Sequence, residues 1–336
     1  MGTGEKIDAN PVQVIQIFED IEILQPVSTA GILLVQSEGT LYSIPETVIG
    51  LLGSSPTQVS ISHIPGLVIL VSELEPSDFW MINQRSCLLI LNRGGLLDRV
   101  SVPSGKRRDR LEIPGMPTAV YAASLDPHDA WLLAETTAPA KKRPEELFAL
   151  FSVGLPEGRV QSVPRLSSID MMDMTWSDGL GAFVICDSSS GRLWSWVPPH
   201  EEHALLFEPA EEAPVPSVFD LDPGGRWVTT SYQHEETEST QIMRGILTEG
   251  SVRWTAPVIL PEGDFEDFCW HPSREIFACV RTFQDRALLC VCDAGGAILA
   301  ETPASEASLG AGLEWSCDGN SVYSLGLQSI GIWQVF

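Results

Sequence analysis

The sequence predicts an all-β propeller built from four-stranded blades. A repeated unit runs along the chain, in which an apolar strand, a short polar turn and a second apolar strand follow one another. The last apolar residue before the turn recurs at separations of 51, 45, 49 and 45 residues. A period of roughly 40–50 residues with several strands per unit is typical of a propeller. The five clearest of these anchor residues are Leu125, Trp176, Leu221, Trp270 and Trp315.

The pattern within each unit is that of strands. Apolar and polar residues alternate, and no stretch keeps the 3.6-residue period of a helix. The 24 prolines and 28 glycines fall mostly between the apolar runs, where turns are expected. A third strand with bulky apolar pairs is predicted at 40–44, 87–91, 147–151, 192–196, 287–291 and 331–335.

The number of units predicts about seven blades. Weaker copies of the unit at 24–37 and 60–73 precede the five clear ones. A six-bladed ring is the alternative, with 57–120 as an insertion.

The chain ends on a strand, and the N-terminal run 12–18 is predicted to complete the last blade as its outer strand. Such a closure removes exposed sheet edges. We therefore expect a flexible N-terminus over 1–11 and a single propeller domain over 12–336. The segment 136–146 is predicted to be a projecting loop and 201–216 an acidic connector between blades.

The charge makes some partners improbable. The net charge of −25 repels phosphate backbones and anionic membranes, so we expect neither nucleic acid nor membrane as a partner. Two short basic clusters, at 106–110 and 141–143, are predicted to be solvated loop charges. The alternative is a docking patch for an acidic partner.

The cysteines and the N-terminus predict a cytoplasmic protein. Seven cysteines without a CxxC pair lie mostly in apolar runs, where free cysteine behaves as a small hydrophobe. This usage fits a reducing compartment. The N-terminus is polar and lacks the apolar core of a secretory signal.

Candidate site residues lie where the innermost strands begin, because propellers bind ligands at the axial mouth. In the last four units, the residues one and three positions before the anchor share one side of the strand. Four of these eight residues, drawn from consecutive units, are carboxylates: Asp173, Asp220, Asp267 and Glu314. They could bind a cation or supply a general acid or base, because mutual repulsion raises a pKa. Alternatively, each carboxylate accepts backbone N–H groups in its own turn.

Other motifs for chemistry are weak. The histidines of PPHEEH (198–203) have neither the HExxH nor the HxxEH spacing of zinc enzymes. DSSSG (187–191) falls where a hairpin turn is expected.

The segment 172–196, MDMTWSDGLGAFVICDSSSGRLWSW, resembles the gluconolactonase/senescence-marker propeller family, whose pattern there is N-G-L-x-W-S-x-D-G…D-S. The run 216–232 resembles the next blade of that family, and 264–298 resembles fungal members. The resemblance implies a propeller with a divalent metal held by an Asn and an Asp at the axial mouth. The matching positions here are Met172 and Ser217, and a thioether and a hydroxyl cannot replace those ligands around a hard cation.

We therefore expect a mouth without metal or other cofactor. Tyr121, Met172 and Ser217 are predicted to form its floor, and Asp173, Asp264, Glu266 and Asp267 its flank, with Asp220 and Glu314 nearby. Asp173, Glu266 and Asp267 are the candidate catalytic groups. The resemblance to fungal relatives implies a hydrophobic small molecule as ligand, and cyclisation or isomerisation as a reaction that needs shape and desolvation rather than a nucleophile.

Three functions remain open at this point. The first is a metal-independent small-molecule binder, which could be a pericyclase-like cyclase or isomerase of secondary metabolism. The second is a protein-interaction scaffold without catalysis, which the acidity and the absence of a recognised catalytic motif favour. The third is a divergent lactonase that holds a relocated metal with Asp173, Asp220, Asp267 or Glu314.

Overall fold

The structure is a computed structural model of the 336-residue chain. It describes residues 13–16, 23–27, 31–52, 60–72, 74, 79–82, 87–92, 95–102, 104–114, 120–137, 148–155, 158–168, 172–187, 190–200, 202–209, 218–221, 227–234, 239–304, 312–316, 318–326 and 328–335. The predicted features at 1–11, 141–143 and most of 136–146 lie outside these residues, as does Ser217.

Seven antiparallel sheets form seven blades, which confirms the predicted fold and blade number. Residues 57–120 contain the whole second blade, so the six-bladed alternative is wrong. The N-terminal strand is β1 (Gln13–Gln16). Blade 1 contains β2 (Ile23–Val27), β3 (Ile32–Ser37), β4 (Thr40–Pro45) and β5 (Val68–Val71). Blade 2 contains β6 (Phe79–Ile82), β7 (Cys87–Leu91), β8 (Leu96–Ser101) and β9 (Lys106–Glu112). Blade 3 contains β10 (Val120–Leu125), β11 (Trp131–Thr137), β12 (Phe148–Gly154) and β13 (Arg159–Ser168).

The remaining four blades follow the same order. Blade 4 contains β14 (Met172–Ser177), β15 (Ala182–Asp187), β16 (Arg192–Trp196) and β17 (His203–Phe207). Blade 5 contains β18 (Val218–Leu221), β19 (Trp227–His234), β20 (Ser239–Thr248), β21 (Ser251–Trp254) and the short β22 (Val258–Ile259), which pairs with β20. Blade 6 contains β23 (Asp264–Trp270), β24 (Ile276–Phe283), β25 (Arg286–Asp293) and β26 (Ile298–Pro303). Blade 7 contains β27 (Leu313–Trp315), β28 (Ser321–Gly326) and β29 (Ser329–Gln334).

The N-terminal strand closes the last blade as predicted. Strand β1 pairs with β29 in a register that runs from Gln13 opposite Ile332 to Gln16 opposite Ser329. The inner strand β27 also contacts the inner strand β2 of blade 1. The ring is therefore joined both by a shared blade and by packing between its first and last blades.

A cluster of buried apolar side chains packs in each of the seven interfaces between neighbouring blades. Side chains along a strand alternate between the two neighbours. In β15, Phe183 and Ile185 pack towards blade 3, whereas Val184 and Cys186 pack towards blade 5. Because both faces of this strand are buried, its sequence AFVIC is almost continuously apolar.

Four sequence predictions about single segments are wrong, and three of them concern the runs 60–73, 87–91 and 201–216. The run 60–73 is not a hairpin unit, because a short 3-10 helix (Ile61–His63) follows helix α1 (Glu46–Leu52) and only Val68–Val71 is a strand. Ile61 and Ile64 are apolar because they fill the interface between blades 7 and 1. The run 87–91 is the second strand of blade 2 rather than the third. The segment 201–216 contains the outer strand of blade 4, β17, so it is more than a connector.

The basic cluster at 106–110 lies on a strand rather than in a loop. It forms most of β9, the outermost strand of blade 2, and its five side chains are exposed. Charged, exposed side chains on both faces of this strand are possible because an outer strand has little protein beyond it. Within the part of the chain that the structure describes, no helix is long and apolar enough to cross a bilayer.

A group of hydrogen bonds and a ring contact joins blades 6 and 7 next to the anchor residues Trp270 and Trp315. The indole Nε1 of Trp315 donates to the carbonyl oxygen of Cys269 at 2.9 Å. The ring of His271 packs edge-on against Trp315, and its Nε2 lies 3.0 Å from the carbonyl oxygen of Gly319. The backbone N–H groups of Ser273 and Arg274 donate to Nδ1 of the same ring. Nδ1 is therefore the acceptor and Nε2–H the donor, which makes the ring neutral.

We expect this neutral histidine to make stability depend on pH. Burial lowers the pKa of His271 below its ordinary value of 6.5. Between the lowered folded pKa and 6.5, the unfolded chain binds more protons than the folded chain. The free energy of unfolding should therefore fall as the pH drops below about 6.5 and level off below the folded pKa. Denaturant unfolding across this range measures the slope, which His271→Gln should flatten and the exposed-site control His63→Gln should leave in place. An unchanged slope in His271→Gln would contradict the assignment.

Candidate functional site

The inner strands of the blades begin on one side of the ring. In blades 1 to 6 the chain enters at the innermost strand and leaves at the outermost one, so the inner strands all run in the same direction. Neighbouring inner strands contact one another, as β6 with β10, β10 with β14 and β23 with β27. Exposed residues in the N-terminal halves of β10, β14 and β23 therefore lie towards the same side of the ring. We call Tyr121, Asp173, Asp264, Glu266 and Asp267 the acidic mouth.

The register places Asp173 and Glu266 at the same level of this mouth. Asp173 is opposite Cys186, three residues beyond the partner of the anchor Trp176. Glu266 is opposite Val280, three residues beyond the partner of the anchor Trp270. The two carboxylates come from blades 4 and 6, on either side of blade 5.

Sequence offsets had placed Asp267, not Glu266, level with Asp173, and this part of the prediction is wrong. A β-bulge between Glu266 and Cys269 adds one residue to β23. Asp267 lies in the bulge with φ of 53°, a left-handed conformation that Asp adopts more readily than most residues. The bulge keeps the Asp267 side chain exposed beside Glu266, so it enlarges the acidic group.

Burial by the surrounding protein raises the pKa of both Asp173 and Asp267. Both side chains still reach solvent. The sequence predicted a raised pKa from mutual repulsion, but among the described residues burial is the cause and no neighbouring carboxylate contributes.

Tyr121 and Asp264 are exposed at or next to the beginning of their strands. Tyr121 is the extra residue of a bulge in β10, between Val120 and Ala122, and 46% of it is exposed. Asp264 is the first residue of β23, opposite Thr282, and is exposed. The bulge displaces Tyr121 from the regular register of its strand, and its place in the floor of the mouth stays a prediction.

The other predicted residues are only partly placed. Glu314 is exposed in β27 but lies one residue before its anchor, so it sits about 7 Å deeper along the strand than Asp173 at roughly 3.3 Å per residue. Met172 begins β14 and Asp220 lies in β18, but their side chains are outside the described part, as is all of Ser217.

Sequence reasoning missed Arg281, which holds the chain that enters the mouth. Arg281 is 8% exposed, and its Nε donates to the carbonyl oxygen of Glu262 at 2.9 Å. Its Nη1 donates to Oε1 of Glu301 at 2.6 Å, and the guanidinium lies 4.5 Å from the ring centre of Phe283. Gly263 follows Glu262 with φ of 129°, and a Cβ there would meet the Thr282 carbonyl oxygen at 2.8 Å. The available signal was a lone arginine in the apolar run IFACVRTF.

Three carboxylates of the mouth, Asp173, Glu266 and Asp267, form no ion pair within the part of the chain that the structure describes. Within the same part of the chain, no group of three or more His, Cys, Asp or Glu side chains is arranged to hold a metal ion. The metal of the gluconolactonase family does not fit the thioether and hydroxyl at positions 172 and 217 either.

Comparison with known proteins identifies the fold. No family model and no curated protein matches this chain. A chain of the mitotic checkpoint complex is similar at 14% identity and a TM-score of 0.63, covering 100% of this chain and 95% of that one. The propeller domain of Cps50 (Swd1) from Myceliophteria thermophila is similar at 13% identity and a TM-score of 0.66, covering 98% and 100%. An oligogalacturonate lyase in complex with manganese is similar at 10% identity and a TM-score of 0.67, covering 100% and 99%. These likenesses define a seven-bladed β-propeller, and at such identities they show the fold alone.

Proposed function

We propose that this protein is a binding propeller that holds a basic side chain of a protein partner at the acidic mouth. The observation that supports the proposal is the group of Asp173, Glu266 and Asp267, which no basic side chain among the described residues neutralises. Arginines pair with carboxylates at several other places in the described part of the chain. These three carboxylates are not used in that way, so a basic side chain of a partner can bind them.

The environment of the mouth favours a cationic ligand. Burial raises the pKa of Asp173 and Asp267 because the protein around them stabilises the charged form less than water does. A Lys or Arg side chain that enters the mouth restores that stabilisation. It gains more there than at an open surface, where exposed ion pairs contribute only about 0–1 kcal/mol.

The similar propellers are compatible with a protein partner. One of them belongs to a chain of the mitotic checkpoint complex. The same fold also occurs in a lyase, so the fold does not decide between binding and catalysis. The charges of the mouth are therefore the argument for a basic partner.

We expect the double substitution Asp173→Asn with Glu266→Gln to weaken the binding of a lysine-rich peptide about tenfold, because two charge contacts in a partly buried site are lost. Fluorescence anisotropy with a labelled peptide measures the dissociation constant, at low and at moderate salt. The matched control is Glu249→Gln with Asp285→Asn, which removes the same charge from exposed turns. Equal weakening by the control would show that only net charge matters and would contradict the proposal.

A second candidate is the metal-independent binder of a hydrophobic small molecule, with cyclase or isomerase activity. The raised pKa of Asp173 and Asp267 is the observation that favours it, because a carboxyl that keeps its proton at higher pH is a better general acid. The resemblance to the gluconolactonase family remains a proposal that belongs with this candidate. Salt separates the two candidates, because binding of a cationic peptide weakens as salt rises whereas binding of an uncharged molecule does not.

A further inference from the structure

Blade 2 is the one blade of this acidic chain with a positive charge. Over 79–112 it has seven basic and three acidic residues, a net charge of +4, so the rest of the chain carries −29. Each of the other six blades is net negative over the range of its strands. The basic residues are Arg85, Arg93, Arg99, Lys106, Arg107, Arg108 and Arg110.

The positive charge is concentrated on an outer edge. Strand β9 is the outermost strand of blade 2 and pairs only with β8 within the described sheet. Its residues Lys106 to Arg110 are all exposed. The seven residues of β9 extend over about 23 Å at roughly 3.3 Å per residue, a length that matches an extended peptide of similar size. We call Arg99 together with Lys106–Arg110 the basic edge.

Two carboxylates order the basic edge without neutralising it. Asp98 accepts two 2.6 Å hydrogen bonds from Arg110 and lies 3.6 Å from Nε of Arg107. Asp109 pairs with Arg99 at 3.1 Å. The basic edge therefore has five basic and two acidic residues if Asp98 is included. Lys106 and Arg108 have no carboxylate partner among the described residues, and Nε of Arg108 donates to the hydroxyl of Ser101 at 2.5 Å.

Protection against edge-to-edge aggregation explains only part of this arrangement. Charged residues and bulges on outer strands prevent unwanted strand pairing, and β9 has both, with a register shift near Arg108. Acidic residues would serve that purpose equally well in a chain of net charge −25. The positive sign is what remains to be explained. The bulge also interrupts continuous backbone pairing, so a ligand of this edge is recognised by side chains.

We infer that the basic edge of blade 2 is a docking site for an acidic, extended segment of a partner protein. Charge complementarity requires a partner segment with negative charge. Screening by salt favours a thin partner segment, because exposed charges interact over only about 8 Å at physiological salt. A thin acidic segment stays within that distance of the basic edge, whereas a nucleic acid, an anionic membrane or a second copy of this chain also meets the acidic surface around it.

The test compares two charge-reversed variants of the full chain. Lys106→Glu with Arg108→Glu reverses the two basic side chains that no carboxylate holds. Arg253→Glu with Arg286→Glu makes the same change in net charge at exposed sites on blades 5 and 6. The probe is a labelled glutamate-rich decapeptide, and fluorescence anisotropy gives its dissociation constant at two salt concentrations. Thermal unfolding of both variants checks that the fold is kept.

We expect the blade 2 variant to bind the acidic peptide at least about tenfold more weakly than the unchanged chain, and the control variant to bind within about twofold of it. Binding should also weaken as salt is raised. No binding to the unchanged chain, or equal losses in both variants, would overturn the inference. It would also be overturned if duplex DNA or phosphatidylserine vesicles bind this edge more tightly than the peptide does. Concentration-dependent self-association that the blade 2 variant abolishes would reassign the edge to a second copy. Because the acidic mouth is unchanged in both variants, failure here leaves the proposed function untouched.

Discussion

Replacing Phe183 by alanine is expected to lower the free energy of unfolding by about 3–5 kcal/mol, the largest effect of any substitution considered for this protein. Phe183 is fully buried in the interface between blades 3 and 4. Its ring meets Trp176 edge-on at 5.0 Å and stacks with Trp196 at 6.0 Å between centroids. The substitution removes both ring contacts and leaves a cavity between two rigid sheets, which cannot collapse easily. Guanidinium unfolding followed by tryptophan fluorescence measures the loss.

Phe207→Ala is the control for this prediction. Phe207 also meets a tryptophan edge-on at 5.0 Å, in this case Trp254, but it is only partly buried. If burial dominates, Phe207→Ala should cost clearly less than Phe183→Ala. Equal losses would mean that the ring contact itself is the main contribution, and that burial between the blades is not what stabilises the ring.

Gly319→Ala is expected to destabilise the protein by about 2–4 kcal/mol, because the new methyl group has no room. Gly319 has φ of 71°, and a Cβ there would lie 2.3 Å from Nε2 of His271. The cost therefore has two parts, the strain of a left-handed backbone and the displacement of the histidine that joins blades 6 and 7. Guanidinium unfolding of the variant measures the sum.

Two further variants separate these parts. Gly181 has φ of 60°, and no atom lies within 4 Å of the position that a Cβ would take there, so Gly181→Ala should show the backbone strain alone, about 1–2 kcal/mol. In a His271→Ala background, Gly319→Ala should fall to a similar value, because the clash is gone. If Gly319→Ala still lowers the free energy of unfolding by about 2–4 kcal/mol in the His271→Ala background, the His271 ring is not what crowds the new methyl group.

The acidic mouth and the basic edge are proposed to bind different ligands. The acidic mouth lies at the N-terminal ends of inner strands, and the basic edge lies on the outermost strand of blade 2. They differ in sign and in radial position, so their proposed ligands do not compete for the same residues. Each of the charge variants proposed for them alters one surface and leaves the other intact.

The candidate site residues were found by counting along the sequence and stay a prediction, but their register in the sheets could not be found in that way. Asp173, Glu266 and Asp267 follow from counting back from the anchors, because strand residues have a fixed period. The count fails at the bulge in β23, since the extra residue depends on a positive φ at Asp267 that no apolar pattern encodes. Arg281 was missed because its partners, the carbonyl of Glu262 and the carboxylate of Glu301, lie on other segments of the chain.

By itself the sequence determined the propeller, its seven blades and the strand that closes the ring, because each of these depends on a repeated pattern of burial that a repeat of about 45–50 residues exposes directly. The tertiary structure alone decided which strand an apolar run becomes. Ile61 and Ile64 pack between blades 7 and 1, the strand Val68–Val71 packs between blades 1 and 2, and the cluster at 106–110 is an outer strand. It also decided which charges are neutralised, since an ion pair such as that of Arg110 with Asp98 depends on the register between strands. Local sequence specifies burial, whereas register and bulges arise from how the blades pack on one another.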